Sequence, residues 1–268
     1  MTLNTEQIDI VVSGAKLRIA CLRRTGSKPP LVCLHGFGST KEDYADLALH
    51  PVFDKRGLIL LDAPGCGQST CDAPEKISIP FLRDVAGLTL DRLGVEQFHL
   101  LGHSMGGLTA LMLAVEKSSQ IKSFTNIEGN VAPEDCFLSR QIHSHPGTSP
   151  SDFLDAFIDR VSQRPEWSSR LYAAALAQKI DPAVVAPIFQ SMVRISDSEP
   201  LLKTFTGFLF PRQFVFGEQN RHLSYLNTLQ DKGVELAEIA SSGHFPMYSN
   251  PQALWSRLGQ FLARCETA

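Results

Sequence analysis

A chain of 268 residues, 43% of them hydrophobic, is long enough to bury a large core. Its 25 basic and 28 acidic residues are mixed along the chain and leave a net charge of -3. There is neither the basic stripe that nucleic acid requires nor an acidic tail for a basic partner. No apolar run approaches a membrane span, and the amino end MTLNTEQIDIVVSGAK has no apolar core behind a positive start, so a cytoplasmic protein is expected. Cys21, Cys33, Cys66, Cys71, Cys136 and Cys265 lack the paired short spacing of a zinc site and read as small buried hydrophobes or exposed thiols.

QIDIVVSG and KLRIACLRR read as two strands joined by Ser13-Gly14. PPLVCLHGFG, GLILLDAPGCGQST, QFHLLGHS and SFTNIEGN follow, and RQFVFGEQN and ELAEIASSGH come much later. Such apolar runs, without polar alternation, suit strands buried on both faces of a parallel sheet. Leu82, Val85, Leu88, Leu90 and Leu93 fall at helical spacing, as do Leu108, Leu111, Met112 and Val115. In the last helix Asn250 caps, Pro251 opens the first turn, and Leu254, Trp255, Leu258, Phe261 and Leu262 share a face. The alternation predicts an α/β fold, a mainly parallel sheet with helices on both sides.

The stretch from Val131 to Thr206 breaks that alternation. Ser151 is expected to cap DFLDAFIDRV, with Phe153, Leu154, Phe157, Ile158 and Val161 on one face. Asp181-Pro182 opens AVVAPIFQSMVRI, where Pro187 predicts a kink or a break. Residues 1–130 and 207–268 are therefore expected to form the core domain, and residues 131–206 a helical cap.

Ser104 lies in Gly102-His103-Ser104-Met105-Gly106, directly after an apolar run and before a helical face. That is the context of a nucleophile held on a sharp strand-to-helix turn. Together, LHGFGST (34–40), DAPGCGQS (62–69), GHSMGG (102–107) and SSGHFPMYSNP (241–251) resemble, in order and spacing, the α/β-hydrolase fold superfamily over nearly the whole chain. The resemblance implies an eight-stranded, mostly parallel sheet, a helical cap after the sixth strand and a Ser-acid-His triad. Within the superfamily the chain is similar to the serine esterase and lactonase branch.

On this resemblance His244, in the loop before the final helix, is the base. An imidazole with an unperturbed pKa of ~6.5 suits proton transfer near neutrality. His35 is expected to shape the neighbouring loop, His99 to sit in the core, and His103 to point away from Ser104. His143 and His145 either line a pocket or face water, while His50 and His222 have no motif. Met105 and Phe37 would supply the oxyanion N–H groups, with Gly36 and Gly38 letting the loop approach the substrate. Phe153, Phe157, Phe245 and Met247 are expected at an apolar substrate pocket, although Phe153 and Phe157 also suit internal cap packing. Asp62 is read as organising its turn.

The acid departs from the common pattern. Most superfamily members place an Asp three residues beyond the glycine after the seventh strand, and here that position holds Asn220. Glu128, after the sixth strand, is the favoured substitute, as in zearalenone-type lactonases and certain haloalkane dehalogenases. Glu218 is the rival. The expected function is hydrolysis of a small, largely apolar carboxylic ester or lactone through an acyl enzyme. No metal, flavin or nucleotide cofactor is implied. Hydrolysis of carbon–carbon bonds in dienoic diketones, and a ligand-binding or receptor role on the same scaffold, stay open, as does the oligomeric state.

Overall fold

Ser13 and Gly14 both take positive φ, 50° and 79°, and fold β1 (Asn4–Val12) back on β2 (Ala15–Arg24). Two successive positive φ values match the right-handed twist of a hairpin. The computed structural model describes residues 2–145 and 149–267. Six further strands complete the main path: β3 (Lys28–Leu34), β4 (Arg56–Leu61), β5 (Phe98–His103), β6 (Ile121–Ile127), β7 (Arg212–Gly217) and β8 (Glu235–Ile239). Their order in space is β1-β2-β4-β3-β5-β6-β7-β8, and a two-residue strand, Thr70–Cys71, pairs with β2. β2 meets β1 and β4 antiparallel, and every pairing from β4 to β8 is parallel.

The apolar runs are explained by cover on both faces. In β3, Val32 and Leu34 join the core beneath α1 (Ile79–Arg92) and α2 (Met105–Glu116), while Leu31 and Cys33 join the core beneath the carboxyl-terminal helix. Phe214 and Val215 of β7 divide in the same way. Because side chains alternate along a strand, each run must be apolar throughout.

Between β6 and β7 lies the helical insert, carrying α3 (Pro150–Ser162), α4 (Trp167–Lys179), α5 (Val185–Ser198) and α6 (Leu201–Gly207). Two local expectations are corrected here. The cap of α3 is Ser149, whose hydroxyl accepts from Asp152 N, with Asp152 answering the Ser149 N–H. A serine followed three residues later by an acid closes this reciprocal box, which Ser151 lies too far along to make. Pro187 does not break a helix, because α5 begins only at Val185. Its missing N–H falls in the first turn, where no intrahelical acceptor exists. The expected cap limit at residue 206 falls inside α6, whose Phe205 packs edge-on against Phe124 and also meets Phe214 of the sheet.

The insert is stitched to the loop after β4. Gly67 N donates to Lys179 O and Asp181 N to Gly65 O, each at 2.8 Å. The Lys179 ammonium pairs with the Asp43 carboxylate at 2.6 Å. Beyond β7 come α7 (Leu226–Asp231), α8 (Pro246–Ser249) and α9 (Pro251–Thr267), and the Asn250 side chain accepts from Ala253 N at the start of α9. Among the described residues no helix is long and apolar enough to cross a membrane.

Candidate active site

The turn from β5 into α2 places Ser104 at φ 51°, ψ −118°. Such a left-handed conformation costs a non-glycine residue about 1–3 kcal/mol and persists only when the surroundings hold it. Here Ser104 N donates to Ile127 O at 3.0 Å, and Leu108 N returns to Ser104 O at 3.1 Å. The flanking glycines permit the close approach. A Cβ on Gly102 would lie 2.4 Å from Gly106 O, and one on Gly106 would lie 2.2 Å from Leu34 O.

The next strand ends in a second strained residue, Glu128 at φ 43°. Glu128 N donates to Val215 O at 3.0 Å, and Gly129 N donates to Asn126 Oδ1 at 2.7 Å, which shapes the corner. The loop after β8 brings in His244. Its Nε2 lies 3.0 Å from Ser104 Oγ, and its Nδ1 lies 2.8 Å from Glu128 Oε2. The structure thus brings Ser104, His244 and Glu128 into one hydrogen-bonded row. Such a row can move a proton from a hydroxyl to an imidazole and steady the resulting cation.

Glu128 is buried, and three further hydrogen bonds surround its carboxylate. Gly217 N reaches Oε1 at 2.7 Å, and Asn220 Nδ2 reaches Oε1 and Oε2 at 2.9 and 2.7 Å. Burial opposes the charge, but the bond and proximity to His244, followed by the Asn220 and Gly217 donors, hold the carboxyl below its ordinary range. Asn220 therefore steadies a carboxylate supplied by the neighbouring strand. Glu218 is engaged elsewhere. Its Oε2 accepts from Ser241 N at 2.8 Å.

Neighbouring histidines shape the loops. His103 donates from Nε2 to the carbonyl of His244 at 2.8 Å. Burial and the nearby His244 ring push its pKa down to about 3, so it stays neutral. His35 accepts from Ala63 N at Nε2 and, as the neutral Nδ1–H tautomer, donates to Gly36 O. His99 is buried and bonds Ser123 Oγ through Nδ1 at 2.7 Å. His145 packs edge-on against Phe153 within the insert, and the side chain of His143 lies outside the described residues. Asp62 accepts from Lys41 N, Lys41 Nζ and Gln68 N, which ties the β4 loop together.

The Phe37 and Met105 N–H groups have no acceptor among the described residues. A cavity of about 410 Å³ opens beside His244, walled by Phe137, Phe157, Tyr172, Asn220 and Phe245 among others. Phe157 and Phe245 thus line this cavity. Four other residues expected at the pocket do not line this cavity. Met247 is 4% exposed and packs in the core with Trp255 and Leu258, because α8 turns it under α9. Phe153 lies in the interior of the insert, stacked on Phe157 and edge-on to Phe189. Gly36 and Gly38 meet protein instead of the cavity: a Cβ would lie 2.6 Å from His103 Nδ1 at Gly36, and 2.1 Å from Leu176 Cδ1 at Gly38.

A family model described as alpha/beta hydrolase fold matches residues 29–194, more than half of the chain. The chain belongs to the alpha/beta hydrolase fold family. This hydrolase-fold chain is 29% identical over 157 residues to a proline iminopeptidase of Clostridium botulinum, covering 58% of this chain and 52% of that one. It is 33% identical over 130 residues to the pimeloyl-[acyl-carrier protein] methyl ester esterase of Aeromonas hydrophila, covering 48% and 46%. The matches span about half the length of these curated relatives. Among solved structures, a mutant of the N-acyl homoserine lactonase AidH complexed with N-hexanoyl homoserine superposes with a TM-score of 0.77, at 19% identity and 98% coverage of both chains.

Two contacts beside Ser104 and His244 could not be read from the sequence. His103 holds the backbone of His244, and Tyr172, from α4, donates its hydroxyl to Phe37 O at 2.8 Å. Each acts on a main-chain carbonyl more than a hundred residues away, and local periodicity cannot signal such a partner.

Proposed function

We propose that this chain is a serine hydrolase that cleaves a small, largely apolar carboxylic ester or lactone. The observation that carries the reading is His244, bonded on one side to Ser104 Oγ and on the other to Glu128 Oε2 at the edge of a cavity. Ser104 attacks the carbonyl while His244 Nε2 takes its proton. The oxyanion meets the N–H groups of Met105 and Phe37. His244 returns the proton to the leaving alcohol, and water releases the acyl group by the same path. Glu128 keeps Nδ1 protonated and balances the transient imidazolium. The likeness to a methyl ester esterase supports ester chemistry.

The test is turnover of p-nitrophenyl esters, from acetate to laurate, beside acyl lactones and dienoic diketones. The expected result is hydrolysis of an ester or a lactone, blocked by a fluorophosphonate that labels Ser104. Cleavage confined to the diketones would move the reading to carbon–carbon bonds. Tight binding without acylation of Ser104 would make the chain a binding protein.

Two further outcomes follow from the cavity and the acid. Phe157→Leu is expected to change which acyl length is preferred, because Phe157 walls the cavity. Phe153→Ala should instead cost about 3–5 kcal/mol of stability, read as a lower Tm, with its chain-length profile unchanged. A shifted profile in Phe153→Ala alone would reverse these assignments. Asn220→Asp adds a negative charge next to Glu128 Oε2, the atom that His244 Nδ1 also touches. It also removes the amide donor and leaves two carboxyl groups at hydrogen-bond distance, which cannot both stay ionised, so kcat/KM should fall about tenfold. Unchanged kcat/KM would show that Asn220 does not hold the acid in the working enzyme.

A further inference from the structure

The insert reaches the proposed oxyanion loop through one side chain. Gly36, Phe37, Gly38 and Ser39 form a turn closed by Ser39 N on Gly36 O at 3.1 Å, with Gly38 at φ 68°. Positive φ at the third position marks the turn type in which the central peptide is flipped. That peptide carries Phe37 O, and the Tyr172 hydroxyl donates to it at 2.8 Å. Tyr172 is 2% exposed, so water does not compete for the bond. Its ring stacks on Phe245 at 4.4 Å, and Phe245 in turn meets the His244 ring edge-on at 5.1 Å. The Phe37 ring is held from the same side by Phe189 at 4.5 Å and Phe157 at 6.4 Å. Tyr172 also forms part of the cavity wall.

The geometry points to Tyr172 as a positioning residue that fixes the Phe37 turn, and with it the proposed oxyanion N–H, from the wall of the substrate cavity. The inference rests on the reading of Phe37 as an oxyanion donor. A preorganised donor contributes because it is already aimed where charge develops, so loosening its turn weakens it without displacing the nucleophile or the base. A substrate that fills the cavity presses on the ring that holds the turn. Recognition by the insert and stabilisation of the oxyanion therefore share one residue.

The experiment is Tyr172→Phe, which keeps every ring carbon and removes the hydroxyl. Four quantities are read: the rate at which a fluorophosphonate labels Ser104, kcat per labelled site and KM with p-nitrophenyl acetate, and the pH profile. Loss of a whole oxyanion donor costs about 10²–10³ in kcat. A loosened donor should cost less, about 10- to 100-fold, in both kcat and labelling rate. KM should stay within about twofold, and the pH profile should not move, since Glu128 and His244 are untouched. Leu176→Ala is the packing control. It removes carbon contacts from the same turn without touching the hydrogen bond, and is expected to lower Tm while its labelling rate stays within about threefold. Equal labelling rates in Tyr172→Phe and the unaltered chain would overturn the inference, and so would equal losses in the two variants. Absence of any label on Ser104 in the unaltered chain would instead overturn the proposed function.

Discussion

Ester turnover is expected to fall on the order of 10⁴-fold or more in Ser104→Ala, with the fold unchanged. Removal of a triad nucleophile is among the costliest single changes a hydrolase can suffer, because the base acts through it. Here the hydroxyl lies 3.0 Å from His244 Nε2 at the strained turn. The measurement is kcat on the ester found in the screen, with circular dichroism as the check on folding. Mass spectrometry after fluorophosphonate treatment should find the label on Ser104 in the unaltered chain and nowhere in the variant. Undiminished turnover in Ser104→Ala, or a label on another serine, would remove the nucleophile from this account.

Glu128→Gln is expected to lower kcat by roughly several hundred-fold or more, judged against the ~10⁴-fold loss that follows neutralisation of the acid in a serine protease. Two causes add. The imidazolium formed in the transition state loses its balancing charge. The neutral amide also cannot satisfy its surroundings, since His244 Nδ1, Asn220 Nδ2 and Gly217 N all donate toward the two carboxylate oxygens. One end of a Gln amide is itself a donor, so at least one of these contacts becomes donor against donor. Glu218→Gln should change kcat little, because Glu218 accepts from Ser241 N. Near-normal turnover in Glu128→Gln, with a large loss in Glu218→Gln, would exchange the two roles.

The parts legible in the sequence are those whose physics is local. The central parallel strands follow from apolar runs because a sheet covered on both faces allows no polar alternation, whereas β1 alternates toward solvent. The turn at Ser104 is legible because only glycine can stand where a Cβ would meet a backbone oxygen at 2.2–2.4 Å. Glu128 stood out because Asn220 left the customary place without a charge. What escaped is non-local. Tyr172 and His103 act on carbonyls 135 and 141 residues away. Met247, two residues from Phe245, shares its apolar character yet turns into the core, because the short helix from Pro246 to Ser249 separates their faces. Phe153 and Phe157 share a helix face and are both buried, and their partners, Phe189 for one and Phe37 and Tyr172 for the other, are far away in sequence.

The two positive φ angles at Ser104 and Glu128 have a bearing on how such a chain changes over generations. Each residue stands where glycine would be at ease, and each is pinned there by an N–H bonded to the adjoining strand. A drift toward greater robustness therefore finds one of its readiest gains, the exchange of Ser104 for glycine, at the centre of the proposed chemistry. Stability and activity pull against each other at this residue, so the serine persists only under selection for what it does.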